Sequence, residues 1–170
     1  MDIIENGLTA GASLIRLSIQ EDRVESWLRI TISDNGRGMS PDMLRQAVDP
    51  FYTTRTTRRV GLGLSLLKEA SKRCDGDFHI QSKEAEGTEV HVSFRLDHID
   101  LAPMGDIAGS LSALIMGNSD VDFVYTHDVD GKVFQLDTRQ IRKELDGVPI
   151  NHPQVIKYIS DSIRDTLAEM

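Results

Sequence analysis

The spacing of apolar side chains divides the first half of the chain into short elements. In DIIENGL, helical spacing sets Asp2, Glu5 and Asn6 on one face and Ile3, Ile4 and Leu8 on the other. After GAS the period changes to two. LIRLSIQ alternates Ile15, Leu17 and Ile19 with Arg16, Ser18 and Gln20, and WLRITIS alternates Leu28, Ile30 and Ile32 with Arg29, Thr31 and Ser33. These two runs predict a hairpin with one buried face. Ser40-Pro41 has the character of an N-cap followed by the first helical residue, which predicts a short helix to about Val48. The stretch DPFYTTRTTRRV has no period. GLGLSLLKEASKRC then predicts a helix ending at DGD, and FHIQS and TEVHVSFRL predict two more strands. In the last of these Val90, Val92, Phe94 and Leu96 face one way.

Alternation on one face of every strand implies a sheet covered by helices on a single side, a two-layer α/β sandwich. DHIDLAPMGD interrupts the pattern and predicts a boundary near Asp97, dividing the chain into residues 1–97 and 98–170. The second part is expected as a small α+β module. It reads as a helix in DIAGSLSALIMG, a hairpin turning at Asp130-Gly131, a short helix from about Thr138 and a final helix from Pro153. Val155, Ile156, Ile159, Ile163 and Leu167 form one stripe on that last helix. A tail of about 70 residues is small for an independent core and is expected to pack on the first domain.

Composition narrows the class. Hydrophobic residues make up 39% of 170, which together with the periodicity supports a folded chain. The formal net charge of -8 argues against a nucleic-acid scaffold. Cys74 is the single cysteine, so no intramolecular disulfide is possible. No apolar run approaches about 18 residues and the start lacks a signal-peptide pattern. The expectation is a soluble cytoplasmic protein with no membrane contact.

Four stretches carry candidate chemistry. Asp34 closes a strand in SDNGRGMS, where a carboxylate can accept from an exocyclic amine. Gly36 and Gly38 would let the backbone approach a flat base, although Asp-Asn-Gly is by itself an ordinary turn. GLGLS opens a helix, and paired glycines at a helix N-terminus expose free N–H groups and the positive end of the helix dipole to phosphate. It matches neither the dinucleotide fingerprint nor a Walker A loop. The amide oxygen of Asn6 suits Mg²⁺, a hard cation that shares phosphate oxygens and water. Thr88, in GTEV, lies where it can support the acid.

Taken in order, these stretches resemble the GHKL (Bergerat-fold) ATPase superfamily of gyrase, the heat-shock chaperone, histidine kinases and MutL. DIIENGLTAGAS is similar to its N box, DNGRGM to its G1 box, DPFYTTR and VGLGLSLL to the short lid and G2 box of histidine kinases, and EGTEVHVSF to its closing strand. The resemblance covers residues 1 to 96 and implies a mixed β-sheet with helices on one face. It implies that Asn6 holds Mg²⁺, Asp34 binds the adenine amine and Thr88 backs Asp34 through water. Gly36, Gly38 and Met39 would line the base. Thr53, Thr54 and Arg55 would belong to the lid, where Arg58 and Arg59 would either grip phosphate or pair with the acidic surface. Gly61, Leu62, Gly63 and Leu64 would present backbone to the phosphates. The implied ligands are ATP or ADP with Mg²⁺.

The chain departs from the family at the catalytic base. Members that hydrolyse ATP carry a glutamate one turn before the asparagine, and Asp2 stands there, one methylene shorter. Glu5 adjoins Asn6 but points about 60° further round the helix. The family also usually carries more helix before the N box than this sequence does. His127-Asp128 resembles the acidic neighbourhood of a phosphoacceptor histidine, but the predicted hairpin argues against that role; His79, His91, His98 and His152 show no ligand spacing. The resemblance therefore implies a kinase-like domain that passes phosphate to a protein partner in trans. The alternatives are an ATP-gated interaction switch and a slow ATPase using Asp2 or Glu5. The tail also resembles that of short stand-alone members encoded near bacterial hydrogenase or NADH-oxidoreductase subunits, which points to a redox-associated partner.

Overall fold

The computed structural model describes residues 1–48 and 62–170. Thr53, Thr54, Arg55, Arg58, Arg59 and Gly61 therefore lie outside the described residues, as does the side chain of Leu62. The chain runs α1 (Asp2–Thr9), β1 (Leu14–Asp22), β2 (Trp27–Asp34), α2 (Pro41–Ala47), α3 (Leu62–Arg73), β3 (Phe78–Lys83) and β4 (Gly87–Arg95). It continues α4 (Ile107–Gly117), β5 (Asp122–Val129), β6 (Lys132–Asp137), α5 (Thr138–Glu144) and α6 (Pro153–Glu169). Local chemistry sets several of these ends. The Ser40 hydroxyl accepts from the Met43 amide and Pro41 occupies the first turn of α2, while the Asp106 and Asp137 carboxylates cap α4 and α5.

Among the described residues the strands form one mixed sheet in the order β3-β4-β2-β1-β5-β6. All neighbours are antiparallel except β1 and β5, which run parallel, as a strand returning through a helical crossover must. The register aligns apolar side chains in rows on one face. One row reads Ile80, Val90, Ile32, Leu17, Tyr125 and Leu136; the next reads Phe78, Val92, Ile30, Ile19, His127 and Phe134. Helices cover this face, and the opposite face exposes Arg16, Ser18, Gln20, Arg29, His79, Gln81 and Glu89. The architecture is the two-layer α/β sandwich that the alternation implies.

The sheet runs across the segment around Asp97. One hydrophobic cluster joins Ile15, Leu28 and Phe94 from the earlier strands with Leu111, Ile115, Phe123, Tyr125, Ile159 and Ile163 from the later elements. Beneath it lies a polar chain. The Tyr125 hydroxyl is 2.6 Å from His127 Nδ1, and His127 Nε2 is 3.0 Å from Glu21 Oε1. His127 is 3% exposed and Tyr125 fully buried. Burial, then the nearby Glu21 carboxylate, pushes the Tyr125 phenol well above its ordinary pKa, so it remains a donor. With both ring nitrogens engaged inside the protein, His127 is a structural link between β5 and β1.

Candidate functional site

The site begins with one row of the sheet. Asp34, the last residue of β2, pairs with Thr88 on β4, and Thr88 pairs with Ser82 on β3. Side chains directly opposite one another on antiparallel strands share a face, so an acid and two hydroxyls stand side by side at the end of the helix-covered face. The apolar rows continue behind them.

After Asp34 the chain turns sharply. Asp34 Oδ1 accepts from the Gly36 amide at 2.8 Å. Asn35 turns away: its Oδ1 accepts from the Ser13 and Leu14 amides, each at 2.9 Å, and its Nδ2 donates to Ser13 Oγ at 2.9 Å. The amide thereby ties the turn to the start of β1, a role beyond that of an Asn-Gly turn. The Arg37 amide then donates to the Ala10 carbonyl at 3.0 Å, and the Arg37 carbonyl accepts from Ala85 at 2.8 Å. The loop is thus strapped to the end of α1 on one side and to the β3–β4 turn on the other.

The glycines are explained by this strapping. Gly38 has φ +63, and a Cβ there would lie 1.9 Å from the Lys83 carbonyl oxygen. Gly87 has φ +102, and a Cβ would lie 2.0 Å from the Asp34 carbonyl oxygen. A Cβ on Gly36 would come within 2.9 Å of both Ala10 Cβ and Asp34 Oδ1. Base clearance was the sequence-based reason for Gly36 and Gly38; their tightest neighbours are other parts of the protein.

These elements enclose a cavity of about 130 Å³. Asp34 and Thr88 form its polar end, Ile32, Val90, Leu64, Met39 and Met43 its apolar walls, and Ile3, Asn6 and Gly7 of α1 with Ala10 just after it form its side. Ile3 belongs with Asn6 because the i, i+3, i+4, i+7 spacing gives them one face; the sequence pattern had assigned Ile3 to the opposite one. Burial raises the Asp34 pKa, against the lowering effect of the Gly36 and Thr88 backbone amides. An apolar slot closed by hydrogen-bond acceptors suits a flat ring that carries N–H donors.

The structure thus brings Asn6, Asp34, Gly38, Met39, Leu64 and Thr88 to one cavity, with Gly36 behind Asp34. The other residues fall elsewhere. Gly63 lies in the first turn of α3 against Asp2, and a Cβ on it would sit 2.8 Å from Asp2 Cβ. Glu5 lines a separate groove with Met1, Leu8, Ala113 and Leu114, between α1 and α4. Three contributors escaped sequence reasoning. Gly7 leaves room for Asp34, since a Cβ there would be 3.0 Å from Asp34 Cβ. Gly87 passes the Asp34 backbone. Ser82 joins Met39, Gly87 and Thr88. Gly7 follows Asn6 on a helix, where glycine costs about 1 kcal/mol relative to alanine, and that was the one available signal.

Residues 1–98 match the family model described as histidine kinase-, DNA gyrase B- and HSP90-like ATPase. Tetrathionate sensor histidine kinase TtrS of Salmonella typhimurium is 36% identical over 97 residues, which is 55% of this chain and 16% of that protein. Sporulation kinase C of Bacillus subtilis is 32% identical over 92 residues, 54% of this chain and 21% of that one. The chain therefore spans about a fifth or less of the length of these two relatives. Among solved structures, the catalytic domain of histidine kinase ThkA aligns with 19% identity and a TM-score of 0.42, covering 55% of this chain and 61% of that one.

Proposed function

This chain belongs to the histidine kinase-, DNA gyrase B- and HSP90-like ATPase family, and on that premise we propose that it binds Mg-ATP and passes phosphate to a partner protein in trans. The convergence of Asp34, Thr88 and Asn6 on one apolar cavity carries this reading. Asp34 accepts from the ring amine, Thr88 stands beside it, and Ile32, Val90, Leu64 and Met39 hold the ring by apolar contact. The start of α3 presents backbone N–H groups to the phosphates.

The residues present fit a cation that arrives with the nucleotide. No cluster of three His, Cys, Asp or Glu side chains among the described residues could hold a metal alone. Mg²⁺ shared with phosphate and water needs only one or two protein oxygens, and Asn6 supplies one. When bound, the ion neutralises phosphate charge and helps orient the group to be transferred. The chain's own residues contribute positioning and exclusion of water.

The histidines favour an acceptor on another molecule. His127 is buried and doubly hydrogen-bonded. His79 and His91 stack on the sheet face opposite the cavity, at 6.3 Å between ring centroids. His98 accepts from the Asp100 amide, and His152 caps α6. The reading is tested by incubating the protein with radiolabelled ATP, alone and with candidate partner proteins, while measuring phosphate release. Label should pass to a partner and release by the protein alone should be slow. Brisk release that Asp2→Asn or Glu5→Gln abolishes would replace this reading with an ATPase.

A further inference from the structure

Ser82 controls the cavity without lining it. Its Oγ meets the Met39 amide, the Gly87 carbonyl oxygen and Thr88 Oγ1, each at 2.9 Å. A serine hydroxyl has one proton and two lone pairs. The Met39 N–H can only donate, so it takes one lone pair. The Gly87 carbonyl can only accept, so it takes the proton; otherwise two bare oxygens would face each other at 2.9 Å. The second lone pair remains for Thr88, whose hydroxyl must then donate. This is the single arrangement in which all three contacts are hydrogen bonds.

Thr88 consequently has no proton left for the cavity. Its Oγ1 offers lone pairs only, next to the Asp34 carboxylate, which when ionised is also an acceptor. We propose that Ser82 is a specificity-determining positioning residue. By holding the Thr88 proton, it gives the closed end of the cavity two adjacent acceptors. That end suits a ring-borne primary amine, which has two N–H donors, and rejects a ring carbonyl in the same place. A site whose polar groups would be left unpaired by the wrong ligand discriminates strongly. This inference rests on the nucleotide reading above and goes further, to a residue that never touches the ligand.

The test is calorimetric binding of ADP and IDP, which differ in carrying an amine or a carbonyl on the ring. The wild-type protein should prefer ADP. Ser82→Ala frees the Thr88 hydroxyl to donate, so the ADP-to-IDP preference should fall by roughly three- to tenfold. Ser82→Thr keeps the hydroxyl and should retain the preference. In a Thr88→Val background, Ser82→Ala should leave the preference unchanged. Ser82→Cys, a poor partner for both the amide and the hydroxyl, replaces the alanine variant if that one does not fold, with the same narrowing expected. Equal weakening of both nucleotides would overturn the proposal while leaving the nucleotide reading intact. Failure of the wild type to bind either nucleotide would remove both.

Discussion

Replacing Asp34 with Asn separates recognition from stability, because the two should move in opposite directions. Asp34 Oδ1 accepts from the Gly36 amide at 2.8 Å and the Thr88 backbone amide also favours the carboxylate, which still has lone pairs to offer a ligand. An asparagine side chain can keep its oxygen on Gly36 and turn its NH2 toward the cavity, facing the ligand's amine donor to donor. The loss is one charge-assisted hydrogen bond, about 1.5–3 kcal/mol, or roughly ten- to over a hundredfold in affinity.

Stability should respond with the other sign. Burial holds the Asp34 pKa above its ordinary 3.8 in the folded state. The folded protein therefore binds this proton more tightly than the unfolded chain. That contribution is fully present below the unfolded value and is lost as pH rises through the folded one. At pH 7 the ionised group opposes folding, and asparagine removes the penalty. Ligand-free Asp34→Asn should melt higher than wild type at pH 7, with the difference closing as pH falls below about 4. Titration calorimetry with Mg-ADP and pH-dependent thermal melts read both arms. Unchanged nucleotide affinity, or a lower melting temperature at pH 7, would refute the reasoning.

Gly38→Ala should cost at least the ~1–2 kcal/mol of a left-handed non-glycine residue, plus whatever displacement relieves the 1.9 Å approach to Lys83; an unchanged urea midpoint would contradict the observed loop. Asn6→Ala should weaken Mg-ATP binding while largely sparing metal-free ADP, and equal losses in EDTA would make Asn6 structural. Ile159 is fully buried in the shared core, so Ile159→Ala should cost about 2–5 kcal/mol. The fluorescence of Trp27, the chain's single tryptophan on β2, should report that loss. A Trp27 transition that does not shift would mean that the later elements unfold separately.

The pattern of side chains was enough to place every helix and strand among the described residues, because each depends on neighbours close in sequence. Alternating residues in β1, β2 and β4 specify a buried face whatever lies beside them, and Ser40-Pro41 starts α2 with its own atoms. The ordered boxes likewise contain Asn6, Asp34 and Thr88, which the fold brings to one cavity. What no local pattern contained was which strands pair and what meets at their ends. β5 lies parallel to β1 through a long crossover, and only that pairing buries His127 between Tyr125 and Glu21, more than a hundred residues from its carboxylate partner. Ser82 and Gly87 look unremarkable as sequence, and Gly7 stands out only as a glycine inside a helix. They matter because three separate segments meet at Asp34, where a Cβ on either glycine would crowd that residue and one serine proton orders its neighbour. Such constraints belong to contacts between distant residues, so they existed only once the sheet had assembled.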